Sequence, residues 1–179
     1  MAVAEHQARA PAAAGIRVAI ISVSDSRNLE TDEGGSRIET AVRAAGFPVA
    51  SRDLVRDELE VIRARVREIV GAGGAEVVLL TGGTGLSPRD RTVEAVAPLF
   101  EQRLDGFGEL FRMLSFAEIG AAAMLSRATA GIVAGVAVFL MPGSPAGVQL
   151  ALDKLILPEV AHLVGQLQRH HHHHARGGS

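Results

Sequence analysis

The chain has 179 residues, of which 47% are hydrophobic and 21% are charged, a size and composition that favour one globular domain without metal or disulfide support. Its 18 basic and 20 acidic residues give a formal net charge of −2, which excludes the strongly basic surface of a nucleic-acid-binding protein. It contains no cysteine, which excludes disulfides, thiolate nucleophiles and cysteine-ligated metals.

Both ends of the chain differ in composition from the rest. Residues 1–14 are rich in alanine and are interpreted as a flexible extension, without the basic flank and apolar core of a secretory signal. Residues 169–179 contain five histidines and are interpreted as a tail, either an expression scar or a native solvated segment. The most apolar stretch, 130–141, is shorter than the roughly 20 residues that cross a bilayer. We expect a cytoplasmic protein with no membrane partner.

Between residues 15 and 168, strand patterns alternate with helix patterns. β-Branched apolar runs predict buried strands, and apolar residues at helical spacing predict the helices that follow them. Three such units in succession predict a three-layer α/β/α sandwich, a Rossmann-like fold with a mainly parallel sheet. The predicted strands are 17–23, 47–55 and 76–80, and their helices are 36–45, 58–70 and 92–100.

The second half of this domain continues the same patterns. A helix is predicted over 106–125 with a break near Ser115. Two short strands are predicted over 132–141 with a hinge at Gly135, and one or two helices close the domain over 144–167.

Four polar loops follow predicted strands. The carboxyl ends of parallel strands lie at one edge of a sheet, where open α/β proteins bind their ligands. We therefore expect these loops to converge and to form the active site, with Ser24 as a candidate substrate contact. The loops are 24–26, 56–58, 81–90 and 142–145.

The strongest local signal is the segment LLTGGTGLSPRD at 79–90. Gly82, Gly83 and Gly85 leave backbone N–H groups unobstructed, which suits a phosphate or a carboxylate. Thr84, which we expect to be exposed, adds a hydroxyl donor. The alternative interpretation is a strand-to-helix turn that needs glycine only for its geometry. The segment is neither a nucleotide phosphate loop nor a dinucleotide fingerprint, because no Lys-Ser/Thr follows the glycines and a proline replaces the last required glycine.

Asp90 directly follows this loop. A carboxylate beside an anion-binding loop is unfavourable unless a cation lies between them, and Mg²⁺ binds carboxylates together with substrate phosphates. In the alternative interpretation, Asp90 only favours the start of the next helix, where Thr92 would be the cap. Asp57, in the sequence RDE, is equally compatible with a solvated helix start.

The turn at 142–145 predicts a helix start with Ser144 as its N-cap and Pro145 in the first position. Its exposed amides would also suit an anion. His162, the one histidine inside the predicted domain, is interpreted as a packed or surface side chain, which excludes a Ser-His-Asp triad.

Four segments in order, TGGTGLSPRD, GFGELFRMLSFAEIG, AMLSRATAG and MPGSP, closely resemble the MoaB/Mog family of molybdenum cofactor biosynthesis proteins, and the MoaB branch above all. The similarity spans 17–167. It implies an α/β/α fold, a homotrimer or homohexamer, and binding of molybdopterin. In the active branch it implies transfer of AMP from Mg²⁺-ATP to the terminal phosphate of molybdopterin, with release of pyrophosphate and hand-over to a molybdate-inserting enzyme.

The resemblance also implies the site residues. It places two functional aspartates, catalytic and Mg²⁺-binding, at Asp57 and Asp90, with Arg89 as a further source of charge stabilisation. Leu140 stands where many active relatives have asparagine, so a non-catalytic molybdopterin-binding or scaffold protein is the alternative. The implied phosphate and pterin contacts are Gly82, Gly83, Thr84, Gly85, Ser115, Ser126, Pro142, Gly143 and Ser144.

The alanine-rich segment 118–125 has small side chains and little charge. This composition suits a buried contact between the subunits of a symmetric oligomer. The alternative is packing of the segment within its own chain.

Overall fold

One six-stranded sheet forms the centre of the molecule. The computed structural model describes residues 15–174, with side chains as far as Arg169; the predicted extension 1–14 and the last five residues of the predicted tail lie outside the described residues. The strand order is β2-β1-β3-β6-β5-β4. The first four strands in this order are parallel to one another, β5 is antiparallel to β6, and β4 is antiparallel to β5. The strands are β1 (Val18–Val23), β2 (Val49–Val55), β3 (Val77–Thr81), β4 (Gln102–Arg103), β5 (Thr129–Val133) and β6 (Val136–Met141).

Helices cover both faces of this sheet, so the predicted α/β/α fold class is confirmed. A π-helical turn, Leu152–Ile156, joins the last two helices, and the final helix continues into the predicted tail. No helix in the part of the chain that the structure describes is long and apolar enough to cross a membrane. The helices are α1 (Glu33–Ala44), α2 (Leu59–Gly71), α3 (Thr92–Val96), α4 (Asp105–Ile119), α5 (Pro145–Ala151) and α6 (Leu157–His174).

The alternation of side chains along each strand divides the core into two layers. Ile20 of β1 and Phe139 of β6 pack in the layer beneath α1, α4, α5 and α6. Their neighbours Ile21 and Leu140 pack in the opposite layer, against α2 and α3. Successive strand residues point to opposite faces, and both faces are covered, which explains why the inner parallel strands β1, β3 and β6 are almost entirely apolar, whereas the edge strand β2 is not.

The long helix α4 breaks later than predicted and ends before the predicted residue 125. The predicted break near Ser115 is wrong, because Phe107, Phe111 and Ser115 form one buried stripe that keeps the helix intact. The chain breaks instead at Gly120, whose φ of 63° lies in the left-handed region. A 3₁₀ segment, Gly120–Leu125, follows.

The predicted hinge at Gly135 is confirmed as a two-residue hairpin turn between β5 and β6. Ala134 and Gly135 both have positive φ, 47° and 79°, which is the backbone of a type I′ turn. The two-residue strand β4 was missed, because an exposed Gln-Arg pair is too short to carry a strand pattern.

Helix α1 begins at Glu33, three residues before the predicted start, because Asp32 is its N-cap. The Asp32 carboxylate accepts the Gly35 N–H at 3.0 Å and the Ser22 hydroxyl at 2.6 Å. It also forms an ion pair with Arg52 at 3.2 Å, and only 2% of Asp32 is exposed. One buried carboxylate therefore joins α1, β1 and β2.

Replacing this carboxylate should destabilise the fold. Asp32→Ala removes the cap and leaves the Arg52 guanidinium without its buried partner, so we expect a loss of about 2 to 4 kcal/mol in the free energy of unfolding. Ser36→Ala, at the predicted start of the same helix, should cost less than about 0.5 kcal/mol because that side chain is exposed. Urea denaturation of both variants checks the difference, and equal losses would contradict the assignment.

Candidate functional site

The loops after β1, β2, β3 and β6 meet at the carboxyl edge of the sheet, as predicted. Thr81 and Met141 are register partners at the ends of β3 and β6. Beyond them the Gly82 N–H donates to the Met141 carbonyl at 3.2 Å, and the Thr81 hydroxyl donates to the Pro142 carbonyl at 2.9 Å. These two bonds hold the glycine loop, 82–90, against the turn 142–144.

A cavity of about 360 Å³ opens between this loop, the turn, α4 and the 3₁₀ segment. One part of its lining is apolar and comes from Phe111, Ile119, Leu125 and Leu150. The remainder is polar and rich in backbone. It contains ten of the sequence-predicted residues: Gly82, Gly83, Thr84, Gly85, Asp90, Ser115, Ser126, Pro142, Gly143 and Ser144.

The glycine loop combines a special backbone with free donors. Gly82 and Gly83 have φ values of 97° and 65°, which require glycine. The amides of Gly83, Thr84 and Gly85 donate to no acceptor among the described residues. The interpretation as a plain turn explains the first two glycines but leaves three adjacent donors beside a cavity unexplained.

Thr84 is buried, with 3% of its surface exposed, so the expectation of an exposed side chain is wrong. The residue nevertheless contributes to the cavity lining. Ser144 caps α5 as predicted, since its hydroxyl accepts the Gly147 N–H at 3.2 Å.

Asp57 lies against Gly83 and Asp90 lies against Gly85 of the glycine loop, and Asp90 lines the cavity whereas Asp57 does not. Asp57 accepts the Arg91 N–H on Oδ1 at 2.9 Å, and its Oδ2 would lie 2.9 Å from a Cβ placed on Gly83. Asp90 accepts the Ser87 N–H on Oδ2 at 2.9 Å. Each carboxylate keeps one oxygen that accepts no hydrogen bond from the described residues.

The predicted cap at Thr92 is wrong. Helix α3 has no side-chain cap, and the Thr92 hydroxyl instead donates to the Gly82 carbonyl at 2.8 Å. Since the Thr92 N–H also donates to the Gly83 carbonyl at 3.0 Å, this residue holds the glycine loop rather than the helix.

The Asp57 carboxyl is in an unfavourable environment for a charge. Burial raises the pKa of Asp57 above its ordinary value of 3.8, and the negative charges of Asp90 and Asp25 raise it further. The Arg91 N–H and the Arg89 charge act in the opposite direction. Negative charge therefore collects beside the glycine loop.

Arg89 and Ser24 lie next to the cavity rather than in its lining. The exposed Arg89 guanidinium pairs with Asp25 and lowers the pKa of that carboxyl. Ser24 lines an adjoining pocket of about 190 Å³, which shares Gly82 and Gly143 with the main cavity. Sequence reasoning named the loop containing Asp25 but not the residue.

Leu140 does not line the cavity. Its side chain is fully buried in the layer against α2 and α3. A leucine in that position therefore removes no side-chain contact from this cavity.

Arg127 is the main residue that sequence reasoning missed. Its guanidinium donates to the Gly85 and Asp90 carbonyls and pairs with Glu94. The sequence feature that could have indicated Arg127 is its position as the charged residue of the family segment AMLSRATAG, just before a buried strand.

Comparisons with known proteins identify the family to which the chain is similar. Residues 19–162 match the family described as "Probable molybdopterin binding domain". Molybdenum cofactor biosynthesis protein B of Bacillus subtilis (strain 168) is 45% identical over 170 residues, which cover 94% of this chain and 99% of that protein. A crystal structure of a molybdenum cofactor biosynthesis protein B is 44% identical with a TM-score of 0.85, covering 89% of this chain and 99% of that one. The tungsten cofactor synthesizing protein MoaB from Pyrococcus furiosus is 35% identical with a TM-score of 0.78, covering 86% and 97%.

The raised pKa of Asp57 predicts a variant that is more stable than the parent. The unfolded carboxyl ionises near 3.8 and the folded one only at higher pH, so ionisation of Asp57 reduces stability as the pH rises. Asp57→Asn keeps the acceptor for the Arg91 N–H without the charge. We expect its melting temperature to exceed that of the parent at pH 7, with the difference disappearing below about pH 3.8.

Asp25→Asn provides the control of opposite sign. Arg89 lowers the pKa of Asp25, so this carboxylate stabilises the fold above its ordinary pKa and the stabilisation is lost on acidification. Its replacement should leave the melting temperature at pH 7 unchanged or slightly lower, since the pair is exposed. An Asp57→Asn protein that melts below the parent at pH 7 would contradict the assignment.

Proposed function

The chain belongs to the MoaB/Mog family of molybdenum cofactor biosynthesis proteins, as its motifs predicted, and on that premise we propose that it is a molybdopterin adenylyltransferase. The reaction transfers AMP from Mg²⁺-ATP to the terminal phosphate of molybdopterin and releases pyrophosphate. The adenylylated product is the substrate of a molybdate-inserting enzyme.

The observation that carries this proposal is the position of two carboxylates beside a loop with free amides. Three amide donors beside the cavity suit phosphate oxygens. The apolar wall with Phe111 suits the faces of a pterin ring. Asp57 and Asp90 oppose any anion in this position unless a cation is bound with it.

The donor set fits Mg²⁺ bound together with a substrate. No cluster of three or more metal-ligating side chains occurs among residues 15–169, so the protein alone does not enclose an ion. Mg²⁺ is commonly held by one or two carboxylates and completed by phosphates and water. The free oxygens of Asp57 and Asp90 would hold it, and when bound it would neutralise charge on the transferring phosphates.

The chain's own residues then act by position and electrostatics. A terminal phosphate oxygen of molybdopterin attacks the α-phosphorus of ATP, and the bond from that phosphorus to the pyrophosphate oxygen breaks. The amides of 83–85 would hold phosphate oxygens as their charge changes. Little covalent assistance is required from the protein in such a transfer.

Two connected pockets would accommodate two substrates. The main cavity has the apolar wall that suits molybdopterin, and the smaller pocket at Ser24 meets it across Gly82 and Gly143. ATP bound on the Ser24 side would bring its phosphates to the glycine loop. Arg89, once released from Asp25, would add positive charge at the same edge.

The position of Leu140 removes the main argument for a purely binding or scaffold function. That argument assumed that position 140 contacts the substrate, whereas the side chain is buried on the opposite face of β6. An assay of AMP transfer with purified protein separates the two functions directly.

Removal of either carboxylate should abolish the transfer. Asp57→Asn and Asp90→Asn are nearly isosteric, so they remove charge without opening a cavity. We expect a fall in kcat of about 100-fold or more, with the fold and molybdopterin binding retained. The measurement is AMP transfer at saturating Mg²⁺ and ATP, with binding followed by calorimetry.

Asp53→Asn is the matched control. It is the same chemical change on β2, away from the cavity. There the Asp53 carboxylate pairs with the Arg65 guanidinium at a distance of 2.8 Å. It should retain the parent kcat. If Asp57→Asn or Asp90→Asn also retains it, that carboxylate has a structural role only.

We further propose that the chain forms a homotrimer or homohexamer through the outer face of α4 and the 3₁₀ segment. This face exposes large apolar side chains, and an uncovered patch of this kind typically marks an interface. The predicted segment 118–125 is only one part of it. The exposed residues are Leu110, Met113, Phe116, Ile119, Met124 and Leu125.

Light scattering should give a mass three or six times 18.7 kDa. The double variant Met113→Glu, Phe116→Glu should reduce the measured mass to that of the monomer. Both side chains are at least 60% exposed, so the substitutions would place negative charges in the contact between subunits. Leu29→Glu, at a residue that is 55% exposed elsewhere, should leave the mass unchanged. A stable mass near 18.7 kDa for the parent protein at micromolar concentration would contradict the proposal.

A further inference from the structure

Arg127 connects three parts of the molecule through one guanidinium group. It lies between the 3₁₀ segment and β5, and its side chain is 28% exposed. Nε donates to the Gly85 carbonyl at 2.9 Å, and Nη2 donates to the Asp90 carbonyl at 3.3 Å. Both terminal nitrogens also contact the Glu94 carboxylate on α3.

These contacts occur at the exposed part of the glycine loop. Residues 86–89 between the two carbonyls are exposed, and their other bonds are those between Ser87 and Asp90, the bond from the Arg89 N–H to the Ser87 hydroxyl, and the ion pair of Arg89 with Asp25. The Gly85 and Asp90 carbonyls are thus fixed relative to each other and to α3 by a single planar group. A lysine has one ammonium and lacks the fork needed to reach three acceptors in fixed directions.

The supporting structure is itself anchored. Arg63 of α2 donates to the Glu94 and Ala95 carbonyls at 3.2 and 3.1 Å. On the other side, Arg112 of α4 donates to the Ala128 carbonyl at 3.1 Å, directly after Arg127. The guanidinium therefore connects the loop to α3, which Arg63 of α2 also contacts, while Arg112 of α4 holds the backbone next to Arg127.

We infer that Arg127 is a positioning residue that holds Gly85 and Asp90 in their working arrangement, an inference that rests on the proposed adenylyl transfer. Arg127 does not line the cavity, so it acts through the loop rather than by touching substrate. Small displacements of groups that stabilise a transition state reduce the rate strongly, while binding contacts elsewhere are retained.

The test compares Arg127→Gln and Arg127→Lys with Arg17→Gln. Arg17 also bridges a glutamate and a glycine carbonyl, Glu76 at 2.6 Å and Gly73 at 3.0 Å, but at the amino end of the sheet. Arg127→Gln should lower kcat by about 10- to 100-fold with the KM for molybdopterin changed by less than about threefold. Arg127→Lys should be intermediate, and Arg17→Gln should match the parent at a temperature where all variants are folded.

Amide hydrogen exchange supplies a measurement that does not depend on activity. The bonded N–H groups of Ser87, Asp90 and Arg91 should exchange at least about tenfold faster in Arg127→Gln and at the parent rate in Arg17→Gln. An Arg127→Gln protein with parental kcat, or with unchanged exchange at these three amides, would overturn the inference. If the parent protein transfers no AMP, the proposed function fails, and the exchange rates alone decide whether Arg127 holds the loop.

Discussion

The pairing of β3 with β6 is the constraint on which the candidate site depends. These strands are far apart in sequence, yet their parallel register ends with Thr81 opposite Met141. Because the register is fixed by burial on both faces of the sheet, the glycine loop and the turn after β6 must begin side by side. Two hydrogen bonds across this junction then set the distance between the loop and the start of α5. The cavity is the space that this arrangement leaves beneath α4.

The regular part of the fold could be predicted from the sequence because its hydrophobic patterns are strong. The inner parallel strands β1, β3 and β6 are nearly continuous apolar runs, and α2 has a clear apolar stripe. The failures have specific causes. The start of α1 was obscured because Thr31, Asp32 and two glycines resemble a turn, and only the burial of Asp32 shows that it is a cap. The end of α4 was misplaced because a buried serine was taken as a break, although it lies on the apolar face.

The site was predicted as far as its residues are close in sequence or belong to a recognised motif. Asp90 and the glycines lie in one segment, and the turn at Pro142 follows a strand end. Arg127 and Asp25 could not be assigned in this way, because their roles depend on contacts across the fold. Arg127 meets Gly85 across 42 residues, and Asp25 meets Arg89 across 64 residues. No local pattern specifies which carbonyl or cation a charged side chain will reach.

Strand geometry also limits what can be inferred from a single substitution near a site. Leu140 and Met141 are adjacent, yet their side chains belong to opposite core layers, as the two-residue period of a strand requires. The Met141 backbone carbonyl, rather than either side chain, contacts the glycine loop. A backbone group is present whatever the side chain, so a change at position 140 alters packing against α2 and α3 before it alters the cavity. Such a substitution would therefore change activity only by moving the end of β6. A volume-conserving apolar residue at position 140 leaves the end of β6 in place.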